Sequence, residues 1–237
     1  MLPVFHINEE IEISTYWLMF AVGVVAMCAL ACGSRKRYGV KIWQAVIYTL
    51  LLAVCGLAGT KILYILENWQ DFLKNGFTLG GLSFFGAVYL IPLLMWLPGR
   101  LFSLNYEQSM DLCAPCVALI LACMRIGCFL NGCCGGREIL VSGRTIQPPT
   151  QLIEMVWDLA IMLFLLYGKP AKRQGSRYPL FMLCYGTVRF LLEFLRDTEK
   201  DWLYLSHGQW FSIVAIIMGL IWLFHITGSE DEKEIAL

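Results

Sequence analysis

Seven long stretches of apolar residues alternate with short polar segments along the chain. A helix that crosses a bilayer needs about 20 predominantly apolar residues, and each stretch approaches that length. The polar connections are too short to fold as separate soluble domains. The pattern therefore predicts an all-α polytopic membrane protein, with one integral membrane domain over residues 1–237. The predicted spans are roughly 14–33, 43–65, 81–98, 112–131, 152–168, 180–196 and 210–226.

The composition agrees with burial in lipid rather than in water. Hydrophobic residues make up 58% of the chain, charged residues make up 15%, and the mean hydropathy is +0.64. A soluble domain carries about 25% charged residues, so the charged fraction is low for that class. The formal net charge is zero, which argues against a general attraction to nucleic acid. We expect membrane lipid, and no nucleic acid, among the partners, and a monomeric chain.

Basic residues are distributed unequally between the two sides that these spans define. One side collects ten of the eighteen Lys and Arg residues: Arg35, Lys36, Arg37, Lys41, Arg100, Lys169, Lys172, Arg173, Arg177 and Lys233. The other side has Lys74, Arg137, Arg144 and Lys200. Because cytoplasmic loops are enriched in Lys and Arg, this asymmetry predicts an outer N-terminus and a cytoplasmic C-terminus. The connection 132–150 then faces outward.

Four basic residues fall inside the predicted spans or at their ends: Lys61, Arg125, Arg189 and Arg196. A basic side chain at the bilayer centre costs about 2.5–3.5 kcal/mol on insertion scales, so such residues usually face a protein interior or a watery cavity. For Lys61 and Arg196, the charged head can instead extend to the membrane interface.

Helical spacing places polar side chains of two spans on common faces. The stripe of the sixth span consists of Tyr185, Arg189, Glu193 and Arg196, which fall within about 60° of one another around the helix axis. That of the fifth span consists of Gln151, Glu154 and Asp158. Two arginines against one glutamate favour an anion, and a guanidinium matches a phosphate in bidentate fashion. We expect a lipid-phosphate site near the outer leaflet; a structural hydrogen-bond network is the alternative.

Several motifs recur in the order and at the spacing of a known family. They are STYWLMFAVG in the first span, GLAGTKILYIL in the second, GGLSFFG at 80–86, RIGCFLNGCCGGR at 125–137, PPTQLIE at 148–154, YGTVRFLLEFLR at 185–196 and LSHGQ at 205–209. Through them, from about Tyr16 to Gln209, the chain resembles the prolipoprotein diacylglyceryl transferases, bacterial membrane enzymes. The resemblance implies a multi-pass protein of the bacterial inner membrane that acts on phosphatidylglycerol and preprolipoproteins. It would transfer a diacylglyceryl group to the lipobox cysteine thiol, forming a thioether and releasing glycerol phosphate.

The resemblance also implies a set of site residues. Arg125 and Arg189 match family arginines that hold the lipid head group and stabilise the departing phosphate, which gives them the catalytic role. Tyr16, Asn131, Gly136, Glu154 and Glu193 also match positions that the family uses. Lys61, Gln151 and Arg196 are added for their polar positions within the spans, and with Arg125 these residues form the expected substrate-binding set.

The chain departs from the family pattern at several positions. Phe85 and Ala87 stand where the family usually has the histidine and the second glycine of SFHGG. Cys128 and Cys133 replace the asparagine and the glutamate of RIGNFINGE, and Ile153 replaces the tyrosine of QLYE. A phenylalanine cannot transfer a proton, and a thiol is a poor substitute for a carboxylate acceptor. An alternative function therefore stays open, that of a relative with the same fold and phosphate pocket but a redox-linked or non-catalytic role.

Six of the ten cysteines lie between Cys113 and Cys134. We interpret Cys113, Cys116 and Cys123 as small residues that let helices pack closely. For Cys128 and Cys133, that role and a disulfide are equally open, and a thiol that carries the lipid transiently is a further alternative. The spacing of Cys128, Cys133 and Cys134 matches no common closed metal site, and their thiols could converge only if the glycine-rich turn folds back. We therefore expect no metal and no cofactor.

Overall fold

The computed structural model describes residues 4–8, 11–77, 81–101, 105–141, 144–169, 174–198 and 202–235. Within them, seven helices are long and apolar enough to cross a membrane, which confirms the expected all-α polytopic class. These are α1 (Thr15–Ser34), α2 (Ile42–Glu67), α4 (Phe84–Leu101), α5 (Tyr106–Asn131), α6 (Thr150–Tyr167), α7 (Arg177–Leu192) and α8 (His207–Ile235). A short helix, α3 (Trp69–Asn75), follows α2.

Among the helix starts, that of α5 differs most from the prediction. This helix begins at Tyr106, several residues before the apolar run, because Asn105 caps it. The Asn105 side chain accepts hydrogen bonds from the backbone N–H groups of Glu107 at 3.0 Å and Gln108 at 3.3 Å. The short helix α3 was not predicted, since it is too short and too polar to show as a span.

Helix α5 forms the centre of the bundle. It packs against α1 and α6 and also contacts α7. Small residues such as Ala114 and Ala118 on this helix are buried, so the backbones of neighbouring helices can approach closely. The thiols of Cys113 and Cys116 are buried there too, and Cys116 donates a hydrogen bond to the Met27 carbonyl at 3.7 Å. These contacts agree with the packing role expected for both cysteines.

The outer faces of the bundle are apolar. Helix α2 packs against α4 and α7 against α8, while side chains on the far sides of these helices and of α1 remain uncovered. Val25 is 70% exposed, Val54 63% and Phe224 74%. A surface of this kind suits a lipid environment, where the bilayer covers the apolar side chains.

Two antiparallel hairpins lie outside the helices. The first pairs β1 (Val4–Asn8) with β2 (Ile11–Ser14), which leads directly into α1. The second pairs β3 (Ile139–Val141) with β4 (Arg144–Ile146) in the connection between α5 and α6. Single-turn 3-10 helices extend α1 at Arg35–Tyr38 and α7 at Glu193–Leu195.

A buried ion pair lies near the start of α5, at the other end of that helix from Arg125. Arg177 Nη1 is 3.3 Å from Asp111 Oδ2, and the backbone N–H groups of Gly175 and Arg177 donate to the same carboxylate at 2.7 and 2.9 Å. The predicted sixth span begins at residue 180 and leaves Arg177 outside it, whereas in the structure Arg177 is the first residue of α7. Arg177 is 7% exposed, belongs to the first turn of α7, and its charge is balanced by Asp111 inside the bundle.

Candidate functional site

The polar faces of α5, α6 and α7 meet inside the bundle. Arg125 of α5 pairs with Glu154 of α6, with 2.6 Å between Nη2 and Oε1. Arg189 of α7 pairs with Glu193, with 2.9 Å between Nη2 and Oε2. Arg125 and residues of the two polar stripes thus form one group inside the bundle. It consists of five residues, which we call the arginine cluster: Arg125, Glu154, Arg189, Glu193 and Arg196.

Glu154 is the shared partner in the arginine cluster. Its Oε1 lies 4.0 Å from Arg189 Nε, and its Oε2 lies 3.9 Å from Arg196 Nη1, in addition to the contact with Arg125. The carboxylate is 2% exposed. The sixth span alone has two arginines and one glutamate, which predicted a positively charged stripe. Glu154 from the fifth span reduces this excess of positive charge. Three guanidinium groups now face two carboxylates, which leaves the five residues with one positive charge in excess.

Two N–H groups of the arginine cluster are available to a ligand. Arg125 Nε and Arg189 Nη1 are buried, and neither has a hydrogen-bond partner among the residues that the structure describes. Buried donors are nearly always satisfied in proteins, so such groups call for a ligand or water. Phosphate oxygens are suitable acceptors, because charge-assisted bonds from guanidinium groups are strong.

Asp158 is a further buried carboxylate next to the arginine cluster. It follows Glu154 by one helical turn, is fully buried, and has no hydrogen bond to either oxygen within the described ranges. The sequence placed Asp158 on the same helix face as Glu154 but did not assign it to the site. Asp158 therefore has to be counted with Glu154 and Glu193 when the charge around a bound anion is considered.

An apolar cavity of about 230 Å³ lies between α1, α2, α4 and α5. Its polar lining is concentrated where α1 begins and α5 ends, and there it includes Tyr16, Arg125, Cys128, Cys133 and Cys134. Most of the remaining lining consists of aliphatic and aromatic side chains. An apolar body with a cationic end has the polarity that binding of a phospholipid head group and the adjoining part of its chains requires.

The glycine-rich turn after α5 folds back on the helix. Gly132 ends α5 with a φ of 76°, and Cys134 has a φ of 63°, which is unusual for a residue with a side chain. As a result, the Sγ atoms of Cys128, Cys133 and Cys134 all lie within 4.8 Å of one another. Convergence of these thiols was expected only if the glycine-rich turn folds back, and it does so here. We call these three residues the cysteine cluster.

Helix α6 holds this turn in place through its first residues. Gln151 Nε2 donates a hydrogen bond to the Cys133 carbonyl at 2.7 Å, and Thr150 Oγ1 donates to the Cys134 carbonyl at 3.1 Å. Gln151 is 4% exposed, so this bond lies inside the protein. Gln151 therefore contacts the glycine-rich turn, which carries Cys133 and Cys134 and which we call the cysteine turn.

The thiols of the cysteine cluster differ in acidity. A hydrogen bond from Cys128, together with the nearby guanidinium groups of Arg196 and Arg125, lowers the pKa of Cys134 to about 5. Burial raises the pKa of Cys133. Cys134 is thus more acidic than Cys133.

Gly136 lies where two segments of backbone approach closely. It forms an isolated antiparallel bridge with Arg196, and the Arg137 N–H donates to the Leu195 carbonyl at 2.8 Å. A Cβ atom at Gly136 would lie 2.6 Å from Pro148 Cγ and 2.9 Å from the Leu195 carbonyl oxygen. Only glycine fits this gap. The bridge connects the cysteine turn to the segment that carries Arg196.

The other expected site residues lie in two places. Tyr16 lines the apolar cavity, and Asn131 ends α5 with its side chain hydrogen-bonded to Cys133. Lys61, in contrast, lies over the rings of Tyr64 and Phe77 at 5.0 Å from each centroid and lines a separate cavity of about 130 Å³. The structure does not bring Lys61 into the lining of the apolar cavity.

Phe85 belongs to an aromatic core. It is 5% exposed, and its ring lies 5.9 Å from that of Tyr89 and 5.6 Å from that of Phe211, centroid to centroid. Its neighbours Phe84 and Ala87 line the apolar cavity, whereas Phe85 is not part of that lining. The chain therefore has an apolar packing residue where the family pattern has a histidine.

Ser206 is a contact of the arginine cluster that the sequence analysis did not identify. Its Oγ donates a hydrogen bond to Glu193 Oε1 at 3.0 Å, and Ser206 is 2% exposed. A sequence signal was present, because Ser206 and Gln209 form the S-x-x-Q pattern that precedes a helix. That pattern indicates a helix cap; the contact with Glu193 depends on the packing of α7 against α8.

Comparison with known proteins identifies the family. The prolipoprotein diacylglyceryl transferase family model matches residues 3–225. Similar proteins include phosphatidylglycerol–prolipoprotein diacylglyceryl transferase 2 of Clostridium perfringens, which is 30% identical over 96% of this chain and 97% of its own length. The transferases of Clostridium tetani and Pseudomonas paraeruginosa are 29% and 28% identical, over 95% and 94% of this chain and 98% and 93% of their own lengths. With the seven spanning helices, these matches show that the chain belongs to the prolipoprotein diacylglyceryl transferase family.

Proposed function

We propose that the protein transfers a diacylglyceryl group from phosphatidylglycerol to the lipobox cysteine thiol of preprolipoproteins. The observation that carries this proposal is the apolar cavity whose lining includes Arg125, with buried guanidinium N–H groups at Arg125 and Arg189 that lack partners in the described structure. The names of the relatives state the same lipid donor and protein acceptor for those proteins.

The arginines have a specific task in this reaction. The acceptor thiol releases its proton to water, and its sulfur attacks the glyceryl carbon that carries the phosphate. The C–O bond breaks, and glycerol phosphate leaves with the electron pair. Negative charge grows on the phosphate as that bond breaks. Arg125 and Arg189 stabilise this charge because their free N–H groups are already held in place by Glu154 and Glu193.

The remaining site residues position these groups in the proposal. Tyr16 bounds the head-group end of the cavity, and Asn131 contacts Cys133 beside it. Gln151 and Gly136 fix the adjoining turn, and Arg196 adds a third cation. Lys61, on a separate cavity, binds lipid at the membrane interface.

The setting we propose is the inner membrane of a bacterium, with a monomeric chain, the N-terminus outside and the C-terminus in the cytoplasm. The distribution of basic residues supports this orientation. It places the arginine and cysteine clusters at the outer leaflet, where exported preprolipoproteins would present their lipobox. Neither the geometry nor the comparisons favour the redox-linked or non-catalytic alternative.

The direct test uses purified protein reconstituted in vesicles that contain phosphatidylglycerol, together with a peptide that carries a lipobox cysteine. We expect mass spectrometry to detect a diacylglyceryl thioether on that cysteine, and glycerol phosphate in the supernatant. A peptide with serine at the same position and vesicles of phosphatidylethanolamine alone are the matched controls. Unmodified cysteine peptide after incubation with folded protein and phosphatidylglycerol would contradict the proposal.

A further inference from the structure

The cysteine cluster lies at the head-group end of the apolar cavity. Cys128, Cys133 and Cys134 line the same cavity as Arg125, and their Sγ atoms are within 4.8 Å of one another. In a tetrahedral zinc site, Zn–S bonds of about 2.3 Å put sulfur atoms about 3.8 Å apart. Movements smaller than about 1 Å would therefore bring the three sulfur atoms to metal-binding distances.

The described lining of this cavity contains no histidine and no carboxylate. Glu154, the nearest carboxylate of the arginine cluster, is held by ion pairs with Arg125, Arg189 and Arg196. The acceptor thiol must lose its proton before it attacks, and a free cysteine has a pKa of about 8.5. The cavity thus lacks a conventional base and has three thiols in its place.

We propose that Cys128, Cys133 and Cys134 bind one zinc ion that activates the acceptor thiol. Catalytic zinc sites have three protein ligands and keep the fourth tetrahedral position open, and the described residues supply three ligands to this group. Thiolate ligands favour zinc, which has no redox chemistry of its own. A zinc ion with three thiolates carries one net negative charge, and the guanidinium groups of Arg196 and Arg125 lie close enough to Cys134 to interact with it.

The reaction that this site supports rests on the proposed function and balances without an oxidant or reductant. The acceptor thiol takes the fourth position and loses its proton to water at the cavity mouth, because a coordinating thiol is deprotonated outright. The zinc-bound sulfur then forms the bond to the glyceryl carbon as the C–O bond to phosphate breaks. The leaving glycerol phosphate takes the electron pair, and the zinc ion and its three protein thiolates are unchanged.

The first experiment measures metal content and does not depend on activity. Full-length protein, purified in detergent under reducing conditions without chelator, is analysed by inductively coupled plasma mass spectrometry. We expect equimolar zinc in the parent protein and its loss in Cys128→Ser, Cys133→Ser and Cys134→Ser. The matched control is Cys123→Ser, since Cys123 is a half-buried cysteine of α5 outside the cluster, and it should retain zinc. Metal-free parent protein, or zinc retained in all three variants, overturns the proposal.

The second experiment tests the open position and needs no variant. Cobalt(II) replaces zinc in the parent protein, and thiolate-to-cobalt charge-transfer absorption reports the ligands. A lipobox cysteine peptide should intensify this absorption, whereas the serine peptide should leave it unchanged. An identical response to both peptides would show that the acceptor thiol does not reach the metal.

A third measurement separates failure of this inference from failure of the proposed function. Chelation should abolish diacylglyceryl transfer, and added zinc should restore it. Full transfer by metal-free protein overturns the zinc proposal and leaves the proposed function standing. A zinc-loaded protein that binds the cysteine peptide but forms no thioether supports the metal site and contradicts the proposed function.

Discussion

Ser206 and Glu193 are joined by a buried hydrogen bond of 3.0 Å that links the start of α8 to the arginine cluster. The same serine caps α8, because its Oγ accepts from the Gln209 N–H at 3.2 Å and its own N–H donates to Gln209 Oε1 at 3.0 Å. Glu193 in turn pairs with Arg189 at 2.9 Å. One hydroxyl therefore starts a spanning helix and orients the carboxylate that holds Arg189.

Replacing Ser206 with alanine should affect stability and activity together. Loss of the cap lowers the free energy of unfolding by about 1 kcal/mol, and Glu193 loses a buried donor in addition. We expect a lower melting temperature in detergent and a lower rate of transfer. Ser212→Ala is the control, because Ser212 is buried in the same helix but bonds only to the Gly208 carbonyl in the contacts described. Equal effects of the two changes would show that the bond to Glu193 is unimportant.

Arg125→Lys and Arg189→Lys should each nearly abolish transfer while the protein still inserts and folds. Lysine keeps the charge but loses the planar fork of donors, and a lost preorganised donor lowers the rate about a hundredfold or more. Arg196→Lys should be milder, because Arg196 is 3.9 Å from Glu154. Initial rates with phosphatidylglycerol vesicles and the lipobox peptide provide the measurement.

The control for these lysine variants is Arg37→Lys, which lies in the short helix after α1, far along the chain from the arginine cluster. Its guanidinium stacks on the Tyr167 ring at 5.2 Å. Full activity in both Arg125→Lys and Arg189→Lys would mean that these arginines are only structural partners of Glu154 and Glu193.

Gly136→Ala should disrupt the bridge between the cysteine turn and Arg196. The added methyl group would lie 2.6 Å from Pro148 Cγ, so the two backbone segments must separate. We expect a large loss of transfer activity with the spanning helices intact, measured by rate and by helical circular dichroism. Gly33→Ala, where a Cβ atom meets nothing within 4 Å, should retain full activity. An active Gly136→Ala protein would show that the bridge does not matter for the reaction.

Phe85→His should not raise the rate of transfer. The imidazole would replace a ring packed between Tyr89 and Phe211, where a polar group is costly to bury, and Phe85 does not line the cavity. We expect a lower melting temperature than that of Phe85→Leu, which keeps the site apolar, and a rate no higher than the parent rate. A rate increase in Phe85→His would show that a histidine at this position reaches the acceptor.

A reporter fused after Leu237 should be active only in its cytoplasmic form. The prediction follows from the excess of basic residues on the side of the C-terminus. Fusions of a cytoplasmic reporter and a periplasmic reporter at the same position give the comparison. Activity of the periplasmic reporter would reverse the proposed orientation and move the arginine cluster to the inner leaflet.

The spanning helices could be predicted because their signal is local. A run of about 20 apolar residues defines a span whatever its neighbours are, and all seven predicted spans contain a helix. Helical spacing also predicted that Arg189 and Glu193 share a helix face, and they form an ion pair. Spacing within one helix could not predict that Glu154 lies between three arginines, because that depends on how α5, α6 and α7 pack.

The remaining differences come from backbone conformation and long-range pairing. The convergence of the cysteines depends on a φ of 63° at Cys134, a conformation that side-chain identity does not indicate. The ion pair of Asp111 and Arg177 joins residues far apart in sequence, so local sequence did not reveal the buried partner of Arg177. Arg177 was therefore expected outside the sixth span. Lys61 was included for its charge within a span, and its aromatic partners, Tyr64 of α2 and Phe77 after α3, were not apparent from that charge.

The position of Glu154 among three guanidinium groups determines the state of the protein between turnovers. Without a lipid in place, this carboxylate acts as a resident counter-ion, so the empty site need not hold bare cations within the membrane. An arriving head group then meets guanidinium groups whose charge Glu154 already compensates in part. Because Glu154 keeps that role when glycerol phosphate departs, release does not leave three uncompensated cations behind. This limits how tightly the product is held, and a transferase that must turn over repeatedly benefits from that limit.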